Sequence, residues 1–351
     1  MLPQLFAVTA PGFEAVVALE LREAGFAEVR VVPGGVECRG SPLQANRKSR
    51  IATRFLQRIG TFEARTFEAL KQGIAALDRA PFGPGTPTVE VSCQRSRLFH
   101  TDAIAERVVE AWRGGEGSGP TVYIRFDQDR CTVSIDTTGE PLFRRGWRLE
   151  TGSAPLRENL ASGLLAFAGW RPGEALYDPM CGSGTFVVEA ASWASGRDAG
   201  ALRSFACEAF VGPEAALRSS SVATVFGASD RSRAVIEAAR RNAERAEAEI
   251  TFTVADASRA RPPAPRGLLI CNPPYEHRAP GARHAFENLV KLLDGPFASW
   301  RALILCPAPE WGLPLLPRVE SRLCFLNGGL RVEALRLREV DSSQPPYISS
   351  P

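Results

Sequence analysis

Residues 178–185 read Asp178-Pro179-Met180-Cys181-Gly182-Ser183-Gly184-Thr185 and follow directly on the apolar, strand-like run Glu174 to Tyr177. A glycine-rich turn between a strand and a helix lets the backbone approach a ligand closely. It also aims the free N–H groups and positive dipole end of the helix at an anion. The helix beginning near Thr185 therefore faces a carboxylate, and Asp178 is placed to pair with an ammonium group. A ligand that carries both groups is an amino acid. No third glycine follows Gly184, where Thr185, Phe186 and Val187 stand, so the loop departs from the G-x-G-x-x-G spacing of a nicotinamide site.

Outward from this turn the chain alternates strand and helix. Strand Glu174 to Tyr177 feeds helix Phe186 to Trp193, and strand Thr224 to Ala228 feeds helix Ser232 to Ala246. Strand Ile250 to Val254, a proline-rich loop (Arg261 to Arg266) and strand Leu268 to Cys271 follow. Helix His284 to Leu293 and strand Ala302 to Cys306 come next. Such alternation predicts an α/β fold with a doubly wound, mostly parallel sheet. Asn327-Gly328-Gly329 between Arg322 to Leu326 and Arg331 to Leu337 is a hairpin signal. A closing antiparallel hairpin is the variation that Rossmann-like class I methyltransferases make on this sheet.

Two further strands each end in an acid. Asp230 can accept from two ribose hydroxyls, and Asp256, with Ala257 beside it, can accept from an adenine amino group. Either acid alone is equally well a helix N-cap. The ordered set, a glycine loop and then one acid at each of the next two strand ends, points to S-adenosylmethionine. The cofactor residues read from sequence are thus Asp178 to Thr185, Asp230, Asp256, Ala257 and Asn272.

Asn272-Pro273-Pro274-Tyr275 follows the apolar strand Gly267 to Cys271. An exocyclic amino nitrogen on a nucleobase is a poor nucleophile, because its lone pair is delocalised into the ring. Acceptors held out of the ring plane localise that lone pair, and the Asn272 side-chain oxygen and the Pro273 carbonyl are suitable, stiffened by the double proline. Tyr275 can stack on a base extruded from its helix. The methylated, cationic nitrogen loses its proton readily, so no tuned histidine is required; the chain has only His100, His277 and His284.

The chain has 351 residues, 44% hydrophobic and 23% charged, enough for two or three domains with sizeable cores. It lacks a membrane-length apolar run and a signal-peptide pattern, so a cytoplasmic protein is expected. Eight scattered cysteines include no C-x-x-C pair, which argues against zinc, iron–sulfur clusters and disulfides. A net charge of +3 means that any nucleic-acid contact must come from local patches.

In the N-terminal third the pattern predicts strand Leu5 to Thr9, helix Gly12 to Ala24, and a hairpin of Val29 to Val32 with Gly35 to Cys38. Ser41-Pro42-Leu43-Gln44 has capping-box spacing, and the helix it opens is expected to run to about Ile59. On that helix Arg47, Arg50, Arg54 and Arg58 would form a stripe, either solvated or in contact with RNA. Replacing Arg50, Arg54 and Arg58 would then weaken RNA binding. Helix Phe67 to Leu77, strand Thr88 to Cys93, helix Thr101 to Trp112, a glycine-rich loop Gly114 to Pro120 and strands Thr121 to Asp127 and Arg130 to Thr137 follow. Arg95, Arg97, Arg144, Arg145 and Arg148 add positive charge near strand ends. Thr151 to Ala154 reads as a linker into an amphipathic helix, Pro155 to Ala168. The tail 342–351 carries no pattern and is expected to be disordered.

These segments resemble the THUMP-domain RNA methyltransferases along nearly the whole chain. Asp178 to Thr185 and Asn272 to Tyr275 look like the amino-methyltransferase motifs of that family. Ser96 to Thr101 with Ala103-Ile104 and Glu106-Arg107 is similar to the THUMP signature. Gly139 to Gly146 and Ala154 to Leu160 resemble the entry to the catalytic domain, and Arg203 to Glu208 and Leu326 to Leu330 look like further family segments. The resemblance is strongest to the branch that methylates a guanine amino group in bacterial 23S rRNA. It implies a ferredoxin-like unit over residues 1–60, a THUMP domain over 61–150 and a class I methyltransferase domain over 151–351, of which 151–172 are linker and helix. The partner would be structured RNA, with no metal and no membrane; no protein partner is named by the sequence. One departure concerns base choice: Glu276-His277-Arg278 follows Tyr275 where the family has glycine. The rival substrates are tRNA and then an adenine amino group. A non-catalytic RNA-binding protein and an oxidoreductase are the readings from other classes.

Overall fold

The computed structural model describes residues 2–150, 156–212, 214, 220–274, 282–306 and 309–339. The chain divides into two units, each built on a seven-stranded sheet. The expected linker at Thr151 to Ala154, Tyr275 to Arg278 and the tail 342–351 lie outside the described residues.

The first unit contains β1 (Gln4–Val8), α1 (Glu14–Glu23), β2 (Ala27–Val32), β3 (Gly35–Arg39), α2 (Pro42–Lys48), β4 (Arg54–Glu63), α3 (Phe67–Ala75), β5 (Gly85–Gln94), α4 (Thr101–Trp112), β6 (Gly115–Asp127) and β7 (Arg130–Asp136). Strand order is β2-β3-β1-β4-β7-β6-β5, antiparallel except for the β5–β6 pair. Leu70, Ile74, Ile104, Val108 and Trp112 of α3 and α4 pack on Val122, Ile124, Phe126, Val133 and Ile135 of the sheet.

Two expectations fail here, each for a local reason. The helix opened by Ser41 does start as read, with Ser41 Oγ accepting the Gln44 N–H at 3.1 Å and Pro42 in the first turn. It stops at Lys48, not near Ile59. Glu20 of α1 accepts from the Ser49 hydroxyl and the Arg50 N–H, both at 2.7 Å, and Ser49 turns extended. Arg54 to Glu63 is then a central strand, hydrogen-bonded to β1 and β7, so the Arg54 and Arg58 side chains lie on a sheet. Phe55, Ile59, Thr61 and Phe62 favour that pleated surface. The glycine-rich segment Gly114 to Pro120 likewise runs mostly in β6. A Cβ on Gly119 would stand 2.4 Å from the Gly85 carbonyl oxygen, so glycine permits the irregular β5–β6 pairing.

The boundary expected at residue 60 falls inside β4, and residues 4–136 share one sheet. Residues 200–211 also join this unit: the Gly200 N–H donates to the Arg47 carbonyl and the Cys207 N–H to the Thr137 carbonyl, both at 3.0 Å.

The second unit holds α5 (Glu158–Phe167), β8 (Leu176–Asp178), α6 (Thr185–Ala194), β9 (Phe226–Asp230), α7 (Arg233–Arg245), β10 (Thr251–Val254), β11 (Leu268–Cys271), α8 (Ala282–Asp294), β12 (Arg301–Cys306), β13 (Val319–Asn327) and β14 (Leu330–Leu337). Its order is β10-β9-β8-β11-β12-β14-β13; β8 to β12 run parallel and the closing hairpin β13–β14 antiparallel. The helix before the sheet is not amphipathic as expected. Every residue from Glu158 to Leu165 is buried, so α5 is an interior helix packed on α6. Strand order reverses between β8 and β11, where a ligand crevice opens at the carboxyl ends of the strands.

Candidate functional site

β8 ends at Asp178 and the chain turns sharply. The Met180 N–H donates to Asp178 Oδ1 at 3.0 Å, the Cys181 N–H to the Ser229 carbonyl at 3.0 Å and the Gly182 N–H to Asp230 Oδ2 at 3.2 Å. Gly182 and Gly184 adopt φ of +54° and +84°, which side chains rarely allow, and Gly184 caps α6. Nothing lies within 4 Å of where a Gly182 Cβ would stand, so the loop has an open side that a ligand can fill.

Three acids stand at or just beyond the ends of the neighbouring strands β8, β9 and β10. Asp178 is 2% exposed. Burial pushes its carboxyl up to about 8; the nearby Asp230 charge adds to the rise, and the Met180 N–H opposes it. Such a group is neutral until a cation arrives beside it. Asp230 accepts the Ser232 N–H at 2.9 Å through its other oxygen, tying the glycine loop to the start of α7. Asp256 accepts from the Ser258 N–H at 2.9 Å and the Ser258 hydroxyl at 2.6 Å, which lower its carboxyl below the usual range, and it caps the turn Ala257–Arg259. The buried acid, the open glycine and the two further acids fit a nucleoside that bears an amino acid.

β11 delivers the second motif. Its register sets Leu269 beside Tyr177, so Asn272 and Pro273 emerge next to the Asp178–Met180 turn. Pro273 is buried, while Asn272 and Pro274 are half-buried at the crevice. The Cys271 thiol is pushed far up by burial, with Asp178, Asp230 and Cys181 close enough to add to the shift. Such a thiol stays protonated and is not a nucleophile.

A residue that sequence reading missed holds the loop in place. Asn242 of α7 is fully buried; its Nδ2 donates to the Ser183 carbonyl at 3.2 Å and the Glu150 carbonyl at 2.9 Å. The Glu150 carboxylate is in turn gripped by Arg241 and Arg245, which pull it down to about 2. The readable signal was an asparagine in the buried stripe Ile236, Ala239, Asn242, Ala243.

The arginines expected to meet RNA separate into two sets. Arg47 donates to the Glu214 carbonyl at 2.8 Å, and Arg50 is 8% exposed. Arg54 pairs with Asp136, and Arg58 lies 4.2 Å over the Phe6 ring and donates to Ser134. Arg145 is 2% exposed against Glu189 at 3.4 Å, and the Ser162 hydroxyl donates to the same carboxylate at 2.6 Å. These five are turned toward protein partners, not arrayed as a solvent-facing stripe. Arg95, Arg97 and Arg144 do present exposed side chains. Among the described residues, no group of His, Cys, Asp and Glu is placed to hold a metal ion, and no helix is long and apolar enough to cross a membrane.

Residues 145–295 match the family described as the RMKL-like methyltransferase domain, and residues 4–56 match the RlmL ferredoxin-like domain. A provisionally named RNA methyltransferase of Synechocystis is 30% identical over 368 residues, spanning 94% of this chain and 95% of that protein. SMU.472, a provisionally assigned methyltransferase solved in complex with SAH, superposes with a TM-score of 0.86 at 26% identity, over 97% of this chain and 99% of its own. A Listeria monocytogenes protein, described by prediction as an N6-adenine-specific DNA methylase, gives a TM-score of 0.84 at 24% identity, over 97% of each chain, and speaks for the fold alone. The second sheet is the class I methyltransferase fold, preceded by a ferredoxin-like unit.

Proposed function

Since the chain belongs to the RMKL-like methyltransferase family, we propose that it methylates the exocyclic 2-amino group of a guanine in RNA, with 23S rRNA as the substrate. S-adenosylmethionine is the cofactor. Asp178 would hold its ammonium, the N–H groups at the start of α6 its carboxylate, Asp230 the ribose, and Asp256 with Ala257 the adenine. When bound, the cofactor supplies an electrophilic methyl group on a sulfonium.

The observation that carries this reading is the position of Asn272-Pro273-Pro274 at the end of β11, beside the glycine turn of β8. There the Asn272 oxygen and the Pro273 carbonyl would accept the two N–H groups of a flipped base and localise the nitrogen lone pair. Tyr275 would stack on that base. The nitrogen held there would take the methyl group that the cofactor supplies, and would then pass a proton to water. We assign RNA holding to residues 61–150, with Arg95, Arg97 and Arg144 on phosphates, and place the reaction in the cytoplasm.

The test compares nucleoside mass spectra of rRNA and tRNA from a deletion strain and its parent. Loss of methylguanosine from 23S rRNA is the expected result. Loss confined to tRNA moves the substrate, and loss of methyladenosine overturns the choice of base.

A further inference from the structure

Six residues, Arg95 to His100, connect β5 to α4. Phe99 is 61% exposed, and among the described residues it is the one aromatic side chain among the exposed large hydrophobics. Its ring lies against the His100 ring, centroids 4.1 Å apart and planes tilted by 37°. An isolated exposed leucine needs no explanation, whereas a paired aromatic surface on a rigid loop does.

The loop is held from both ends. Leu98, between Arg97 and Phe99, is buried in the α3–α4 core and anchors the segment. The Ser96 hydroxyl donates to the Gln94 carbonyl at 2.9 Å and accepts the Asp129 N–H at 3.0 Å. Asp129 also accepts the Arg97 N–H at 2.7 Å. Arg95 sits at φ +50° with its guanidinium on Asp127 at 2.9 Å. Backbone strain and four tethers thus hold the aromatic pair outward before any partner arrives, which lowers the ordering cost of binding.

Exposed guanidiniums flank the aromatic pair. Arg65 and Arg97 share Asp129, Arg95 takes Asp127, and Arg130 is exposed on the same β6–β7 turn. Glu63 lies opposite Arg130 in the β4–β7 pair, so with Asp102 at the start of α4 included, four arginines stand among four acids. Guanidinium forks beside a flat aromatic face suit a phosphate and an unpaired base on one strand. We propose that Phe99, backed by His100, stacks on an unpaired nucleotide of the RNA substrate while Arg95 and Arg97 take the adjoining phosphates. This rests on the reading of the chain as an RNA methyltransferase and adds a contact remote from the methyl-transfer residues in sequence.

The full-length protein, loaded with SAH, is titrated with two labelled RNAs: a blunt hairpin and the same hairpin carrying a short single-stranded extension. Phe99→Ala should weaken binding of the extended RNA by about tenfold, the order expected for one base–aromatic stack, and leave the salt slope unchanged. Phe99→Trp should restore it and Phe99→Leu should not, and all variants should bind the blunt hairpin like wild type. Arg97→Ala should reduce the salt slope by about one. Equal losses on both RNAs, or full affinity in Phe99→Leu, overturn the stack. A wild-type dimer that Phe99→Ala renders monomeric assigns the ring to a second copy and also overturns it. Wild-type protein that binds SAH but neither RNA removes the RNA reading itself, and this inference with it.

Discussion

The two seven-stranded sheets keep their polar groups in different places. In the second, β8, β11 and most of β12 are buried on both faces, and the chemistry gathers at their ends: Asp178, Gly182, Asp230, Asn272. In the first, polar side chains run along a face. Arg54 pairs with Asp136 and lies over Tyr123, and Arg58 covers Phe6 and reaches Ser134. A parallel sheet wrapped by helices has solvent only at its edges and ends, so a ligand meets strand ends. A mixed sheet with one open side can carry a cationic surface, but its guanidiniums are then partly consumed in holding the strands together.

The largest effect should come from carrying a buried charge pair into this contrast. Arg145 and Glu189 lie in the catalytic unit with almost no exposure, whereas Arg144 and Glu140 are exposed. Glu189→Ala leaves a buried guanidinium uncompensated and should cost about 3–5 kcal/mol in urea unfolding. Arg144→Ala should cost less than about 1 kcal/mol. Equal costs would mean that solvent reaches the Arg145 pocket.

Asn272→Ala comes next and tests whether the strand end is chemical. Loss of one of two preorganised acceptors should lower kcat by about 10²- to 10³-fold while the SAH dissociation constant stays nearly unchanged. A matching loss of cofactor affinity would make Asn272 a scaffold for the glycine turn.

The same contrast explains what could be read from sequence. β11 was legible to the residue, because a strand buried on both faces is an unbroken apolar run, Leu268 to Cys271, bounded by Gly267 and Asn272. β4 was not. In Phe55-Leu56-Gln57-Arg58-Ile59 two adjacent apolar residues fit a helical face as well as a pleated one, and only the capture of Ser49 and Arg50 by Glu20, distant in sequence, ends the helix. The glycine loop and its acids were legible because their spacing is local; Asn242 was not, since its partners Ser183 and Glu150 arrive through the fold. Residues 61–150 were expected to form a unit of their own; β4, which spans residue 60, pairs with β1 on one side and β7 on the other, and no local signal names both partners.

Protonation at a strand end gives the third prediction. Asp178 rises from 3.8 to about 8 through burial, so the unliganded protein keeps it neutral at pH 7. A raised folded-state pKa contributes stability that is complete below the ordinary carboxylate range and is lost as pH climbs through about 8. A ligand ammonium reverses that preference and expels the proton. Cofactor affinity should therefore improve by up to about tenfold per pH unit across the neutral range and flatten above pH 8. Calorimetry in buffers of different ionisation enthalpy should register the released proton, and Asp178→Asn should abolish it. An unchanged proton count in that variant would assign the release to another group.

The smallest effect separates the open sheet face from the loops around it. Each phosphate contact contributes about one to the slope of log K against log salt, so Arg97→Ala and Arg144→Ala should each flatten RNA binding by about that amount. Arg58→Ala should leave the slope nearly unchanged and lower the unfolding midpoint, because its guanidinium covers Phe6 and its burial holds its pKa below the usual arginine range. A full unit lost from the slope with unchanged stability would show that Arg58 leaves Phe6 for a phosphate when RNA binds. The sheet face would then be part of the RNA surface, and the division between strand-holding and RNA-holding arginines would fail at that residue.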